Sequence, residues 1–291
     1  VELLMLGHSH ANEGFDSRVI KHRSYNMAIG FQNVYFDDFI LGQFIDRMDS
    51  LKCVAIATSY YHFFNEIPEL DMIRGEDLFN MVKYHIYWGL DSLKAKRIPD
   101  LPRYNLEIFN NPAKAYITMF GYYLSGEMWH SGQRNAQDKL LAYGFDGMHN
   151  TYHSAEFLDD NGLFYAKTHN PADGLIPEHP YNYDKYCHIA ETCKRKGVTY
   201  AIVLFPCWHT YVNNLNSVQL EATRSMMASI ADQFDNCLVL DHISDNRFDC
   251  NDFQDAIHLN SHGAAKFAEI LETELDSLKA FELTDADRTT Y

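Results

Sequence analysis

The chain has 291 residues, 46% of them apolar, enough for one large domain or a domain carrying a sizeable insertion. Forty acidic against 24 basic residues leave a formal net charge of −16, which argues against nucleic acid or an anionic membrane surface as the main partner. No stretch approaches the roughly 20 apolar residues of a membrane helix, and no signal peptide is visible.

Glu2 to Leu6 is an apolar run that ends at Gly7 and passes into polar Ser, His and Asn, the pattern of a buried strand feeding a loop and then a helix. Ser24 to Ala28 is a second, shorter strand. Phe31 to Met48 follows with Val34, Phe39, Ile40, Phe44, Ile45 and Met48 at helical spacing. Cys53 to Thr58 is a third strand of the buried kind. Downstream, Asp184 to Lys196 is predicted as a helix stopping at Gly197, a favourable position for a C-terminal cap. Val198 to Phe205 is a fourth strand ended by Pro206, Val218 to Phe234 a helix, Cys237 to Leu240 a fifth strand and His262 to Leu278 a last amphipathic helix. Buried strands alternating with helices indicate an α/β/α sandwich around a parallel sheet, with sites at the carboxyl ends of the strands.

Residues of about 65–183 break this alternation. They are rich in Tyr, His, Asn and Gly, with a helical stretch near Asp77 to Lys96. The expectation is a single domain over 1–291 with this stretch as an elaborate insertion beside the sheet. Because the chain begins at Val1 inside an apolar run, a leader, anchor or tag upstream is expected, and with it export or a membrane tether.

A nucleophilic serine needs exposure at a sharp strand-to-helix turn, an adjacent base and nearby backbone N–H groups for the oxyanion. Ser9, in Gly7-His8-Ser9-His10, has that placement, although a serine there can also be a plain helix cap. Asp255-Ala256-Ile257-His258 lies just before the final helix. An aspartate three residues ahead of a histidine in a tight loop can turn its carboxylate onto the imidazole and orient it as a base.

Gly-x-Ser after the first strand and Asp255-x-x-His258-Leu259-Asn260-x-x-Gly263 before the last helix resemble the SGNH (GDSL-like) hydrolase superfamily. The resemblance covers roughly 1–64 and 197–280. It implies a flavodoxin-like three-layer sandwich, with Ser9 as nucleophile, His258 as base and Asp255 as its orienter. It also implies an oxyanion glycine after the second strand and an asparagine after the third. Here Ala28 stands where that glycine is frequent, leaving Gly30 as the candidate, and Ser59-Tyr60-Tyr61-His62 replaces the third block, leaving Tyr61 as a candidate side-chain donor. Gly-x-Ser-His followed by Tyr-Asn-x-Ala and Gln32 is similar to a cell-envelope branch that includes the alginate O-acetyltransferases and the D-alanylation protein of teichoic acid synthesis.

The remaining motifs have plainer readings. His149, His153, His169 and His179 fit no metal-ligand spacing, and surface or groove histidines are the default. Trp88, Tyr122, Tyr123, Trp129 and Trp208 could line a sugar-stacking wall or simply pack in a core. The six cysteines form no CxxC pair, and Cys53 and Cys207 suit buried thiols. Asn33 and Asn260 are loop-capping candidates. No phosphate-binding or dinucleotide fingerprint is present, so no cofactor is expected. The expected function is a serine esterase or O-acyltransferase acting on acyl esters, acetyl among them, on a small or glycan substrate. The rivals are a non-catalytic envelope protein that binds a glycan or partner, and a metal-dependent phosphoesterase.

Overall fold

A computed structural model describes residues 1–30, 32–64, 144, 151–171, 174, 176, 180 and 182–282. The chain divides into two compact units, one of Val1–Phe64 with Leu140–Tyr291 and one of Asn65–Lys139. The second unit lies outside the described residues, and with it the helix expected near Asp77 to Lys96.

The first unit is built on a five-stranded, all-parallel sheet in the order β2-β1-β3-β4-β5. Strand β1 (Leu3–Leu6) carries four fully buried apolar residues, and all six of β3 (Cys53–Thr58) are buried, as expected of strands covered on both faces. Met5 lies beside Asn26 of β2 (Ser24–Asn26) on one side and Ala55 of β3 on the other. Strands β4 (Thr199–Leu204) and β5 (Cys237–Asp241) extend the sheet beyond β3.

The crossovers follow from this order. From β1 the chain passes through α1 (Ser9–Gly14) to β2 on one side of β1, then returns through α2 (Val34–Phe44) to β3 on the other. Right-handed crossovers in opposite directions place α1 and α2 on opposite faces. Helices α4 (Tyr183–Arg195) and α6 (Ser217–Gln233) continue in the direction of α2, and the helices pack in the row α2, α4, α6. The last helix, α7 (Ser261–Ser277), packs with α1. Between β1 and β3 the connections diverge, which opens a crevice at the carboxyl ends of the strands.

Capping sets the helix ends and corrects the expected boundaries by a few residues. Helix α2 starts at Val34, not Phe31, because the Asn33 side chain accepts the Tyr35 N–H at 3.0 Å. It closes in a short 3-10 turn, Ile45–Arg47. Helix α7 is capped by Asn260, whose Oδ1 accepts the N–H groups of His262 and Gly263, each at 3.0 Å. Gly197 takes φ +63 after α4, the left-handed cap expected of it.

Two helices have no counterpart in the sequence reading. Helix α3 (Ala155–His169) belongs to the same unit as the sheet, and α5 (His209–Asn213) packs against it. No helix among the described residues is long and apolar enough to cross a membrane.

Candidate active site

Gly7 ends β1 with φ +113, and a Cβ there would lie 2.6 Å from the Ala57 carbonyl oxygen of β3. Both the left-handed backbone and the close approach require glycine. The Gly7 peptide is tied on both sides. Its N–H donates to Asp37 Oδ1 at 2.8 Å, and its carbonyl accepts the Ile29 N–H at 3.2 Å. Two residues later Ser9 opens α1, half-buried at the end of the central strands.

The partner loop lies between a 3-10 turn (Cys250–Asp252) and α7. Asp255 Oδ1 accepts the N–H groups of Ile257 (2.9 Å) and His258 (2.8 Å), which turns its other oxygen to His258 Nδ1 at 2.9 Å. His258 Nε2 lies 2.8 Å from Ser9 Oγ. With Nδ1–H donating to the carboxylate, Nε2 is free to accept the serine hydroxyl. Ser9, His258 and Asp255 are thus brought into one hydrogen-bonded line from positions about 250 residues apart.

Several contacts hold the loop still. Phe253 and Leu259 form an antiparallel bridge, and Gln254 N–H donates to the His258 carbonyl at 3.1 Å. Ala256 N–H donates to Asn161 Oδ1 of α3 at 2.8 Å, and the Ala256 carbonyl accepts the Trp208 N–H at 2.8 Å. Asn260 does more than cap α7: its side-chain amide also donates to the Asn251 carbonyl at 2.8 Å and the Phe253 carbonyl at 3.3 Å. An imidazole whose loop is fixed by so many bonds is held in one orientation.

Electrostatics favour an ion pair between Asp255 and His258. Burial pushes the Asp255 carboxyl up, but the facing imidazole and the two loop N–H groups outweigh it, and its pKa falls below the ordinary value. Burial pushes His258 down, but the Asp255 charge and hydrogen bond, helped by the Glu13 charge, raise it above 6.5. Glu13 is itself held by the Gln254 side-chain amide.

Around this line stand four further imidazoles. The His10 ring is edge-on to His258 at 5.4 Å, His8 lies 4.4 Å from His10, and His62 crosses His8 at 3.9 Å. Burial drives His8 and His10 well below 6.5, and lowers His62 to about 3 and His169 to about 4. All four are neutral at pH 7, so among the described residues none of these imidazoles sets a like charge against the cationic form of His258. His169 donates or accepts at Tyr211 Oη (2.9 Å) and contacts the rings of Tyr61 (4.7 Å) and Tyr165 (5.6 Å). Burial, then the Asp255 and Glu13 charges, push the Tyr165 phenol up to about 12.

The two oxyanion candidates lie on the loops after β2 and β3. Gly30 follows Ile29, whose N–H is bound to the Gly7 carbonyl. Tyr61 is in ring contact with His62 (5.1 Å), which in turn touches His8. Burial pushes the Tyr61 phenol above its ordinary pKa, so it remains a donor.

The other candidates resolve into structural roles where they are described. His153 stacks on Phe157 at 4.0 Å, and His169 serves Tyr211. Among the described residues no group of three His, Cys, Asp or Glu is placed to hold a metal ion. Trp208 is buried, its indole N–H on Asp159 Oδ1 at 2.8 Å. Trp88, Tyr122, Tyr123, Trp129, His149 and His179 lie outside the described residues. All six cysteines are free, and Cys53 and Cys207 are buried, with thiol pKa values raised by burial. The sequence reading missed Asp37, Asn161 and the imidazole cluster. The His8-x-His10 pair flanking Ser9 was the one signal that pointed to the cluster.

No family model matches this chain, and no curated protein matches it.

Proposed function

We propose that the chain is a serine esterase or O-acyltransferase of the SGNH type that forms an acyl-enzyme on Ser9. The observation that carries this reading is the unbroken line from Asp255 through His258 to Ser9 Oγ, with hydrogen bonds of 2.9 and 2.8 Å. The strand order 2-1-3-4-5 is that of a flavodoxin-like sandwich, which supports the same assignment.

Ser9 Oγ attacks the ester carbonyl carbon while His258 Nε2 takes its proton, and Asp255 stabilises the imidazolium that results. The tetrahedral intermediate collapses as His258 returns that proton to the departing alcohol oxygen. Water, or the hydroxyl of an acceptor, then attacks the acyl-enzyme with His258 again as base, and Ser9 regains its proton. The N–H groups of Ser9 and Gly30 are the backbone candidates for the oxyanion, and neither has a hydrogen-bond partner among the described residues. The Tyr61 hydroxyl is the side-chain candidate. No step needs a metal or organic cofactor.

The substrate is proposed to be an acyl ester on a small or glycan alcohol, bound near Tyr61, Tyr165 and His169. A Ser9 side chain turned into the core, away from His258, would favour the rival in which the fold only binds a glycan or partner, and the 2.8 Å separation is not that arrangement.

Hydrolysis of p-nitrophenyl acetate, with and without an added polyol acceptor, tests the reading. Release of p-nitrophenol that is lost in Ser9→Ala and His258→Ala is the expected result. Release unaffected by Ser9→Ala would overturn it.

A further inference from the structure

Asp37 is an acidic side chain in the first turn of α2, 1% exposed, with no cation bonded to it among the described residues. Burying a carboxyl group away from water is costly unless hydrogen bonds satisfy it. Its Oδ1 accepts two N–H donors at once. One is the backbone N–H of Gly7 at 2.8 Å, the other the side-chain amide of Gln32 at 2.5 Å.

The two donors belong to different turns. Gly7 makes the left-handed corner from which Ser9 projects two residues later. Gln32 closes the turn that contains Gly30, with its own N–H donating to the Ile29 carbonyl at 3.0 Å. The Ile29 N–H in turn binds the Gly7 carbonyl at 3.2 Å. One carboxylate oxygen therefore fastens the nucleophile turn to the turn that offers the second backbone oxyanion donor. Helix α2 is the anchor, capped independently by Asn33.

We infer that Asp37 is the positioning residue of the oxyanion site, bridging the Ser9 and Gly30 turns through Gly7 and Gln32. This rests on the acyl-transfer reading of Ser9. Asp37 touches no reacting atom, and its effect passes through the spacing of the Ser9 and Gly30 N–H groups. That spacing matters to an oxyanion and much less to the bound ester, so the loss falls on kcat and not on KM.

The test compares wild type with Asp37→Asn, Asp37→Ala and Gln32→Met, by p-nitrophenyl acetate kinetics and by the rate of fluorophosphonate labelling at Ser9. Asn keeps the accepting oxygen, so Asp37→Asn is expected within about threefold of wild type. Asp37→Ala is expected to lose 10- to 100-fold in kcat and labelling rate with KM within about twofold. Gln32→Met, which leaves the Gly7 bond in place, is expected to lose 3- to 10-fold, and decides the matter if Asp37→Ala does not fold. Wild-type rates in folded Asp37→Ala or in Gln32→Met would overturn the inference while leaving the triad standing. An unlabelled wild type would instead sink the acyl-transfer reading. Amide exchange at Gly7 then tests the bridge by itself: faster exchange in Asp37→Ala than in wild type upholds it, and equal exchange refutes it.

Discussion

Replacing Asp255 by Asn separates orientation from charge in the triad. Asn keeps an oxygen for the N–H groups of Ile257 and His258, which hold Asp255 Oδ1 at 2.9 and 2.8 Å, so the loop keeps its shape. The group facing His258 Nδ1 becomes an amide N–H₂, a donor against a donor. The imidazole answers by carrying its proton on Nε2, the nitrogen 2.8 Å from Ser9 Oγ, and the serine loses its base. In other triads this change costs about 10⁴ in kcat, equivalent to about 5 kcal/mol of barrier. The Asp255 carboxylate is held below its ordinary pKa chiefly by the imidazole once burial is overcome, so the same order is expected here. The assay is the steady-state hydrolysis of p-nitrophenyl acetate, with thermal unfolding to confirm that the variant remains folded. A folded Asp255→Asn variant within tenfold of wild type would refute the orientation argument.

Other consequences can be measured directly. If Ser9 is an activated nucleophile as proposed, activity requires neutral His258, so the rate should fall as pH drops through an inflection above 6.5; Glu13→Gln removes one of the charges that raise it and should move the inflection downward in a pH–rate profile. Gly7→Ala combines a left-handed φ of +113 with a 2.6 Å approach to Ala57, and is expected to cost at least about 2 kcal/mol in thermal or urea unfolding. Gly30→Ala, with nothing within 4 Å of the added Cβ, should leave stability unchanged, and equal Tm values for the two variants would contradict the account of the turn. Burial raises the Asp37 carboxyl to about 7 despite the bonds from Gln32 and Gly7, so the folded state keeps a proton that the unfolded chain, at its ordinary 3.8, gives up. The stability this supplies is fully present below about pH 4 and is lost by about pH 7, an effect of about 4 kcal/mol. Asp37→Asn should therefore gain on wild type as pH rises from 4 to 7 in urea titrations; parallel curves would count against it.

The elements around the sheet were legible because a two-sided parallel sheet demands unbroken apolar strands. Cys53 to Thr58 is the clearest case, buried at all six positions. The meeting of Ser9, His258 and Asp255 was legible for a different reason. A carboxylate can reach an imidazole three residues away inside one loop, and a serine just past a strand-ending glycine is raised at the sheet edge. Helix α3 escaped notice because its exposed Phe157, Leu163 and Phe164 blur the apolar face that marks an amphipathic helix. Asn161, on that helix, became visible as a support for the His258 loop only through its bond to Ala256, 95 residues on. Asp37 was hidden for a related reason. In sequence it is one acid in a helical first turn, and only the pairing of β1 with β2 brings Gly7 and Gln32 to the same oxygen.

The central claim is that Ser9 is an activated nucleophile. Labelling with a fluorophosphonate, followed by peptide mapping, tests it on wild type, Ser9→Ala and His258→Ala. The account predicts label on Ser9 in wild type and none in either variant. Folded wild-type protein that takes up no label at Ser9, or label that survives in His258→Ala, would contradict it.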